Sequence, residues 1–183
     1  MNIRICGTGS ALPERKITND DLSQIMDTSD EWISSRTGIK TRHLATEETT
    51  TSLATEAAKK ALADADMKPE EVELIIAATV TPDHLVPTLS CEVQREIGAV
   101  NAVAFDLGAA CSGFLFALST AQAYIASGRF KNALLIGAEV LSKIMDWNDR
   151  STCVLFGDGA GAAVVRADEE NICHVCLLYT SPS

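Results

Sequence analysis

Basic residues are few in this chain. Its 183 residues hold 15 Lys and Arg against 25 Asp and Glu, a formal net charge of −10. A surface so poor in positive charge argues against non-specific binding to nucleic acid or anionic membranes. Local basic patches for phosphate-bearing ligands stay possible. No Pro/Ser-rich linker, low-complexity tract or short-period repeat interrupts the sequence, so nothing divides it into tethered domains. The N-terminus, MNIRICGTGSALPERK, lacks the unbroken apolar stretch and A-x-A site of a signal peptide. The HExxH, phosphate-loop and GxSxG signatures are missing, which removes three common enzyme readings. Six cysteines, at 6, 91, 111, 153, 173 and 176, follow no disulfide framework. Reduced thiols in the cytoplasm are the expectation.

One stretch, 107–128, lacks charge altogether: LGAACSGFLFALSTAQAYIASG. Its length would span a bilayer, but its scattered Gly, Ser, Thr, Gln and Cys point to a buried core helix. Elsewhere strands and helices alternate. Strands are predicted over 2–8, 73–80, 102–107, 132–139 and 159–167. Thr18 and Asn19 offer an N-cap to a short helix, DLSQIM, and Ser29 to a second, DEWISSR, with Gly38 beyond its end. Thr49 to Ser52 precede a helix whose Leu53, Ala54, Ala57, Ala58, Ala61, Leu62 and Ala65 fall at 3.6-residue spacing. Further helices are predicted over 88–97 and 111–127. Strands without polar alternation are expected to be buried on both faces. The order implies parallel pairing through βαβ crossovers. Residues 13–48 read as a loop-and-helix excursion from one α/β domain.

Three segments could carry chemistry. In Asp106-Leu-Gly-Ala-Ala-Cys111-Ser-Gly-Phe, a buried strand ends, small residues turn, and a Cys sits where a long helix begins. Backbone N–H groups and the helix dipole favour a thiolate there. Ala109, Ala110 and Gly113 leave room for a substrate. The alternative is a small buried hydrophobe in an Ala-rich core. In Thr28-Ser-Asp-Glu-Trp32-Ile-Ser-Ser-Arg36-Thr-Gly-Ile-Lys40-Thr-Arg42, an indole and a guanidinium four residues apart share a helical face. They could clamp an adenine and its phosphates, or Trp32 could pack on the core beside a solvated Arg. The third segment, Asp146 to Ala163, holds Gly157, Gly159 and Gly161 before a strand, the wrong order for a phosphate loop. Close backbone packing is the better account of them. Gly7-Thr-Gly9 follows a strand but runs into Leu12-Pro13, so it fails as a phosphate loop too. His43 and His84 stand alone in loops. Cys173-His-Val-Cys176 has CxxC spacing without a second pair, and no metal site is expected.

Taken together, GTGSALPER, T-x-x-EWI-x-x-RTGI-x-x-R, D-x-x-AACSGF and RSTCVLFGDGAGAAV resemble β-ketoacyl-acyl-carrier-protein synthase III, over residues 2–167. The resemblance implies a thiolase-like α/β fold of two similar βαβαβαββ halves, each a five-stranded mixed sheet with helices. Residues 1–167 would be the N-terminal half-domain. Residues 168–183 read as a truncated or artefactual tail, CLLYTSPS resembling translated sequencing adapter, with the C-terminal half missing. By motif, Cys111 matches the acyl-accepting nucleophile. Trp32 and Arg150 match the pair that sandwiches the coenzyme A adenine, and Thr28 and Arg36 match further coenzyme A contacts. Val86 falls in a loop that reaches the partner subunit's acyl pocket in this family, and Leu141 and Phe156 match positions lining that pocket.

The implied reaction is fatty-acid chain initiation. A short acyl-CoA, acetyl-CoA above all, acylates Cys111, and malonyl-acyl-carrier protein then condenses with loss of CO₂. Acyl-CoA is a substrate, and no cofactor is implied. The partners would be acyl-CoA, malonyl-acyl-carrier protein and a second copy in a homodimer. Arg36, Lys40, Arg42 and Arg150 would supply local positive charge for these anions. The family's catalytic His and Asn match nothing here, so the 183-residue chain is expected not to condense substrates. Hydroxymethylglutaryl-CoA synthase, a polyketide starter synthase, a long-chain head-to-head condensing enzyme or a non-catalytic partner subunit are the alternatives.

Overall fold

The structure is a computed structural model and describes residues 2–168. Seven strands and five helices follow in chain order: β1 (Asn2–Ala11), β2 (Lys16–Thr18), α1 (Asn19–Ser23), α2 (Asp30–Thr37), β3 (Thr41–His43), α3 (Thr50–Asp64), β4 (Leu74–Ala78), α4 (Leu89–Ile97), β5 (Val103–Leu107), α5 (Gly113–Ala126), β6 (Asn132–Val140) and β7 (Asp158–Asp168). Five of the strands form one mixed sheet in the order β1-β7-β6-β4-β5. The β4 strand pairs in parallel with β5 and β6, and β7 runs antiparallel to β6 and β1. The βαβαβαββ order and the five-stranded mixed sheet implied by the resemblance are both present. The Cys173–Cys176 spacing and the tail at 176–183 lie outside the described residues.

Strand alternation sorts the sheet's side chains into two cores. Ile75, Ala77, Leu134, Ile136 and Val164 face α3 and α4, whose Leu53, Ala57, Ala61, Val93 and Ile97 complete that layer. Leu74, Ile76, Leu135 and Val165 face the other way, onto Ala117, Ala121 and Ile125 of α5. The central β4 strand is buried throughout. β5 is different: it lies at the sheet edge, and Val103 is exposed. An apolar run therefore does not establish burial on both faces, because place in the sheet decides that. α5 also departs from a fully buried helix, since Leu115, Phe116 and Tyr124 are exposed opposite its packed face. Among the described residues no helix is long and apolar enough to cross a membrane.

The excursion at 13–48 holds more order than its sequence suggests. β2 and β3 pair antiparallel as a small separate sheet, Ile17 opposite Arg42. Strands of three residues carry too little periodicity to be seen without their partner. Thr18 caps α1 through Asp21, but that helix ends at Ser23, short of Met26. Ser29 caps α2 and Gly38 closes it in the left-handed conformation, φ +73°. Beneath the excursion lies a third cluster of Ile17, Leu22, Ile33, Leu44, Cys153 and Val154.

Glu48 folds back to hold the loop into α3. Glu48 accepts the N–H groups of Thr46, Glu14 and Glu47 at 2.9, 3.0 and 3.3 Å. These donors, Thr46 foremost, hold its carboxyl down at about 2. The folded value lies below the unfolded one, so this contribution is complete above the ordinary carboxylate range and is lost as pH falls toward the folded value. Glu48→Gln is expected to melt earlier than the parent chain at neutral pH. The gap should close between about pH 5 and pH 2 in melts followed by circular dichroism.

Candidate functional site

The parallel strands β4, β5 and β6 all end at one edge of the sheet, and β7 begins there, with Val140 opposite Asp158. Most of the candidate residues follow or precede a strand at this edge, and Trp32 packs against the segment that leads into β7. Cys111 follows β5. Val86 lies in the loop after β4. Leu141 directly follows β6, and Phe156 shortly precedes β7. In open α/β sheets the carboxyl ends of parallel strands are where ligands bind, because the loops there are free to vary.

Cys111 is exposed. It sits on a single 3₁₀ turn, Ala110–Ser112, rather than on the α-helix itself, which begins at Gly113. Ser112 N–H donates to the Ala109 carbonyl at 3.1 Å to close that turn. The first N–H groups of α5 therefore lie just beyond the thiol, where they favour negative charge. Ala110, one residue before the thiol, has φ +44°. A Cβ in that region costs about 1 kcal/mol, and such strain gathers where a side chain must be presented outward. Ala110→Gly is expected to stabilise the chain by about 1 kcal/mol in denaturant melts. A relaxed backbone there would give the opposite sign, through glycine's larger unfolded-state entropy. The sequence could not have shown this strain, since Ala is ordinary in any turn. Gly113 answers a different need from substrate room: a Cβ on it would lie 2.9 Å from that of Ala78. It lets α5 seat on β4.

Cys111 also differs from the other described thiols. Cys6 and Cys91 are half-buried and Cys153 is buried, and none of the four is in a disulfide. Burial pushes the Cys153 thiol up, with the Asp149 carboxylate adding to the shift. The two described histidines are engaged elsewhere, His43 Nδ1 with the Pro13 carbonyl at 2.6 Å and His84 Nδ1 with Glu92 at 2.8 Å.

Trp32 combines both readings of its sequence. The half-buried indole packs on the third cluster, and two guanidiniums lie over its ring, Arg36 at 4.6 Å and Arg150 at 5.1 Å. Arg150 is held in place by Asp27, donating to its carbonyl at 2.6 Å and approaching its carboxylate at 3.3 Å. A base entering between Trp32 and Arg150 would have to widen their spacing to about 7 Å, two van der Waals contacts. The hydroxyl oxygen of Thr28, four residues before Trp32, is buried without a hydrogen-bond partner among the described residues.

The positive charge is less available than the sequence suggests. Lys40 lies 3.4 Å from Asp30, and Arg42 is only 5% exposed, so Arg42 cannot meet a partner's anions. Arg36 and Arg150 remain at the surface.

Carboxylates that look interchangeable in the sequence tie the loops of this edge. Asp106 accepts the N–H groups of Leu89 and Ser90 at 2.9 and 2.8 Å, capping α4 from a neighbouring strand. Asp83 does the same for Thr50 and Thr51 at the start of α3, and pairs with Lys143. Its burial pushes that carboxyl up, but Lys143 and the Thr51 N–H outweigh it and hold it well below the usual range. Glu139 fixes the other end of the same loop through Val80 N–H at 2.8 Å and the Thr81 hydroxyl. Between these ties the tip is bare: Val86 is 86% exposed and joined to Pro87 by a cis peptide. Leu141 and Phe156 are half-buried.

The chain is similar to known proteins in both sequence and fold. The family model for 3-oxoacyl-[acyl-carrier-protein] synthase III matches residues 105–179. A β-ketoacyl-[acyl-carrier-protein] synthase III of Clostridium acetobutylicum is 56% identical over 177 residues, covering 96% of this chain and 54% of the relative. Over these stretches the sequence is similar to the β-ketoacyl-acyl-carrier-protein synthase III family. The chain spans about half the length of the curated synthase III relatives it matches. The crystal structure of the synthase III from Aquifex aeolicus superposes with a TM-score of 0.90 at 56% identity, over 92% of this chain and 55% of that one. The priming β-ketosynthase of the R1128 polyketide pathway gives 0.89 at 40% identity, over 91% and 50%. The fold is therefore the thiolase-like one of the synthase III structures.

Proposed function

We propose that this chain carries the acyl-accepting half of a β-ketoacyl-acyl-carrier-protein synthase III. The observation that carries the reading is an exposed thiol on a strained turn, at the carboxyl edge of the sheet and just ahead of a helix N-terminus. In the proposed reaction the Cys111 thiolate attacks the thioester carbonyl of a short acyl-CoA, acetyl-CoA first among them. The carbon–sulfur bond to CoA breaks, and the CoA thiolate leaves and takes up a proton. A thiolate suits both steps, being a strong nucleophile and a good leaving group. Malonyl-acyl-carrier protein then loses CO₂. Its carbanion attacks the acyl-Cys carbonyl, returning Cys111 as thiolate and yielding β-ketoacyl-acyl-carrier protein.

Trp32 and Arg150 would hold the adenine, with Arg36 and Thr28 further along the CoA. Val86, Leu141 and Phe156 would surround the acyl group, Val86 from across a homodimer. The setting would be the cytoplasm, and no cofactor takes part in these steps. The enolate oxygen needs donors worth a few kcal/mol each. The His and Asn that supply them in the family match no residue of this chain, so the chain by itself is proposed to stop at the acyl-enzyme.

The test is to incubate the chain with acetyl-CoA, map the modified peptide by mass spectrometry, and then add malonyl-acyl-carrier protein. One acetyl group on the Cys111 peptide and no condensed product are expected. Alkylation of Cys111 by iodoacetamide without any acetyl transfer would overturn the acyl-acceptor reading. Condensed product would overturn the claim that the chain stops at the acyl-enzyme.

A further inference from the structure

The indole of Trp32 and the guanidinium of Arg150 come from distant parts of the sequence, and something must hold them in register. We propose that Arg42 and Asn19 are positioning residues that set the Trp32–Arg150 clamp from behind without touching its ligand; the inference rests on reading that clamp as a coenzyme A site. Arg42 projects from β3 and is buried beside the cluster of Ile17, Leu22, Ile33, Leu44, Cys153 and Val154. Its Nη2 donates to Asn19 Oδ1 at 2.8 Å and to the Val154 carbonyl at 3.2 Å. Its Nε and Nη1 are buried without a hydrogen-bond partner among the described residues. A guanidinium with spare donors in an apolar setting is costly, and an apolar side chain of similar size would serve stability better.

What the guanidinium provides is a connection. Asn19 Nδ2 donates to Asp30 Oδ1 at 2.7 Å, to the Ile39 carbonyl at 2.8 Å and to Ser34 Oγ at 3.3 Å. Asp30 is the first residue of α2 and Ile39 lies just past its end, so one amide grips both ends of the helix that carries Trp32 and Arg36. The Asn19 and Ser34 bonds also hold the Asp30 carboxyl below the usual range, so it stays ionised as their acceptor. Val154 belongs to the turn that starts at Asp149, where the N–H groups of Thr152 and Cys153 return to the Asp149 carbonyl at 3.2 and 3.1 Å. That turn carries Arg150. Through one nitrogen, Arg42 therefore joins the helix of the indole to the turn of the guanidinium. An ammonium, a compact point charge without a planar fork, does not reproduce this geometry.

The experiment uses the 183-residue chain with Trp147→Phe, which leaves Trp32 as its one indole. Acrylamide quenching reports how well Trp32 is covered, and coenzyme A titration reports the clamp. Both are read at a temperature where circular dichroism shows each variant folded. Arg42→Lys is expected to raise Trp32 quenching as much as Arg150→Ala does, with no further rise in the double variant. It should also weaken coenzyme A binding about tenfold. Asn19→Ala, which frees α2 but keeps the Val154 bond, is expected to behave the same way and serves where Arg42→Lys does not fold. A purely structural role would lower the melting temperature but leave quenching and affinity in the folded state unchanged. That result, or additive effects of positions 42 and 150 on quenching, overturns the proposal. Coupling between 42 and 150 in a parent chain that does not bind coenzyme A would uphold the positioning role and overturn the coenzyme A reading.

Discussion

Cys111→Ala is expected to abolish acetyl transfer from acetyl-CoA to the chain, a loss of at least about 10⁴-fold in rate. The fold should be almost untouched, with the melting temperature within about 2 °C of the parent. Both expectations follow from exposure. The side chain packs into no core, so its removal leaves no cavity. The remaining described thiols cannot substitute. Cys6 and Cys91 are half-buried, and Cys153 is buried, its thiol pushed up by that burial and by Asp149. Cys111→Ser separates nucleophilicity from shape, since it keeps the size and loses the thiolate. It should transfer acetyl far more slowly than the parent and melt with it. Peptide mapping after a timed incubation measures both variants. Acetyl transfer that persists in the Ala variant would move the nucleophile elsewhere and undo the role assigned to this turn.

The largest structural effect is expected at Gly9. A Cβ there would lie 2.5 Å from the backbone nitrogen of Ala61 and 2.7 Å from Lys60 Cβ, with the Ala57 carbonyl oxygen closer still. Gly7 is in the same position against Ala61 O and Ala65 Cα, at 2.6 and 2.8 Å. The β1 strand and the Ala-rich face of α3 meet almost backbone to backbone, and helix backbone cannot yield as a side chain can. Gly9→Ala should therefore cost about 3 kcal/mol or more, enough to leave much of a marginally stable chain unfolded. Gly161→Ala is the matched control. It lies in the same sheet, with nothing within 4 Å of its Cβ position. It should be neutral, or stabilising by about 0.5 kcal/mol through reduced unfolded-state entropy. Denaturant melts of the two variants decide between close packing and simple loss of glycine's flexibility. Equal behaviour would contradict the close-packing account.

The alternation of the main strands and helices, the caps at Thr18 and Ser29, and the helix-ending glycine at 38 were all legible in the sequence. Each depends on neighbours within a turn or two of chain. The turn before Cys111 was legible too, because small residues after an apolar strand leave few other choices. The paired glycines at 7 and 9 were visible only as a failed phosphate loop, since the helix they accommodate lies some fifty residues on. The small sheet of β2 and β3 was hidden for the same reason. So were the caps that Asp83 and Asp106 lend to helices they do not belong to.

Sequence alone thus determined much of the local grammar: the strands and helices of the main layers to within a few residues, the capped starts of α1 and α2, and which thiol lies just ahead of a helix. Tertiary structure alone decided which apolar strand is an edge, that Arg42 is buried rather than offered to an anion, and that Arg150 lies over Trp32. Periodicity and capping are written in short-range hydrogen bonds and side-chain spacing. Burial and pairing across a hundred residues depend on which surfaces exclude water from one another, and no stretch of chain carries that information by itself.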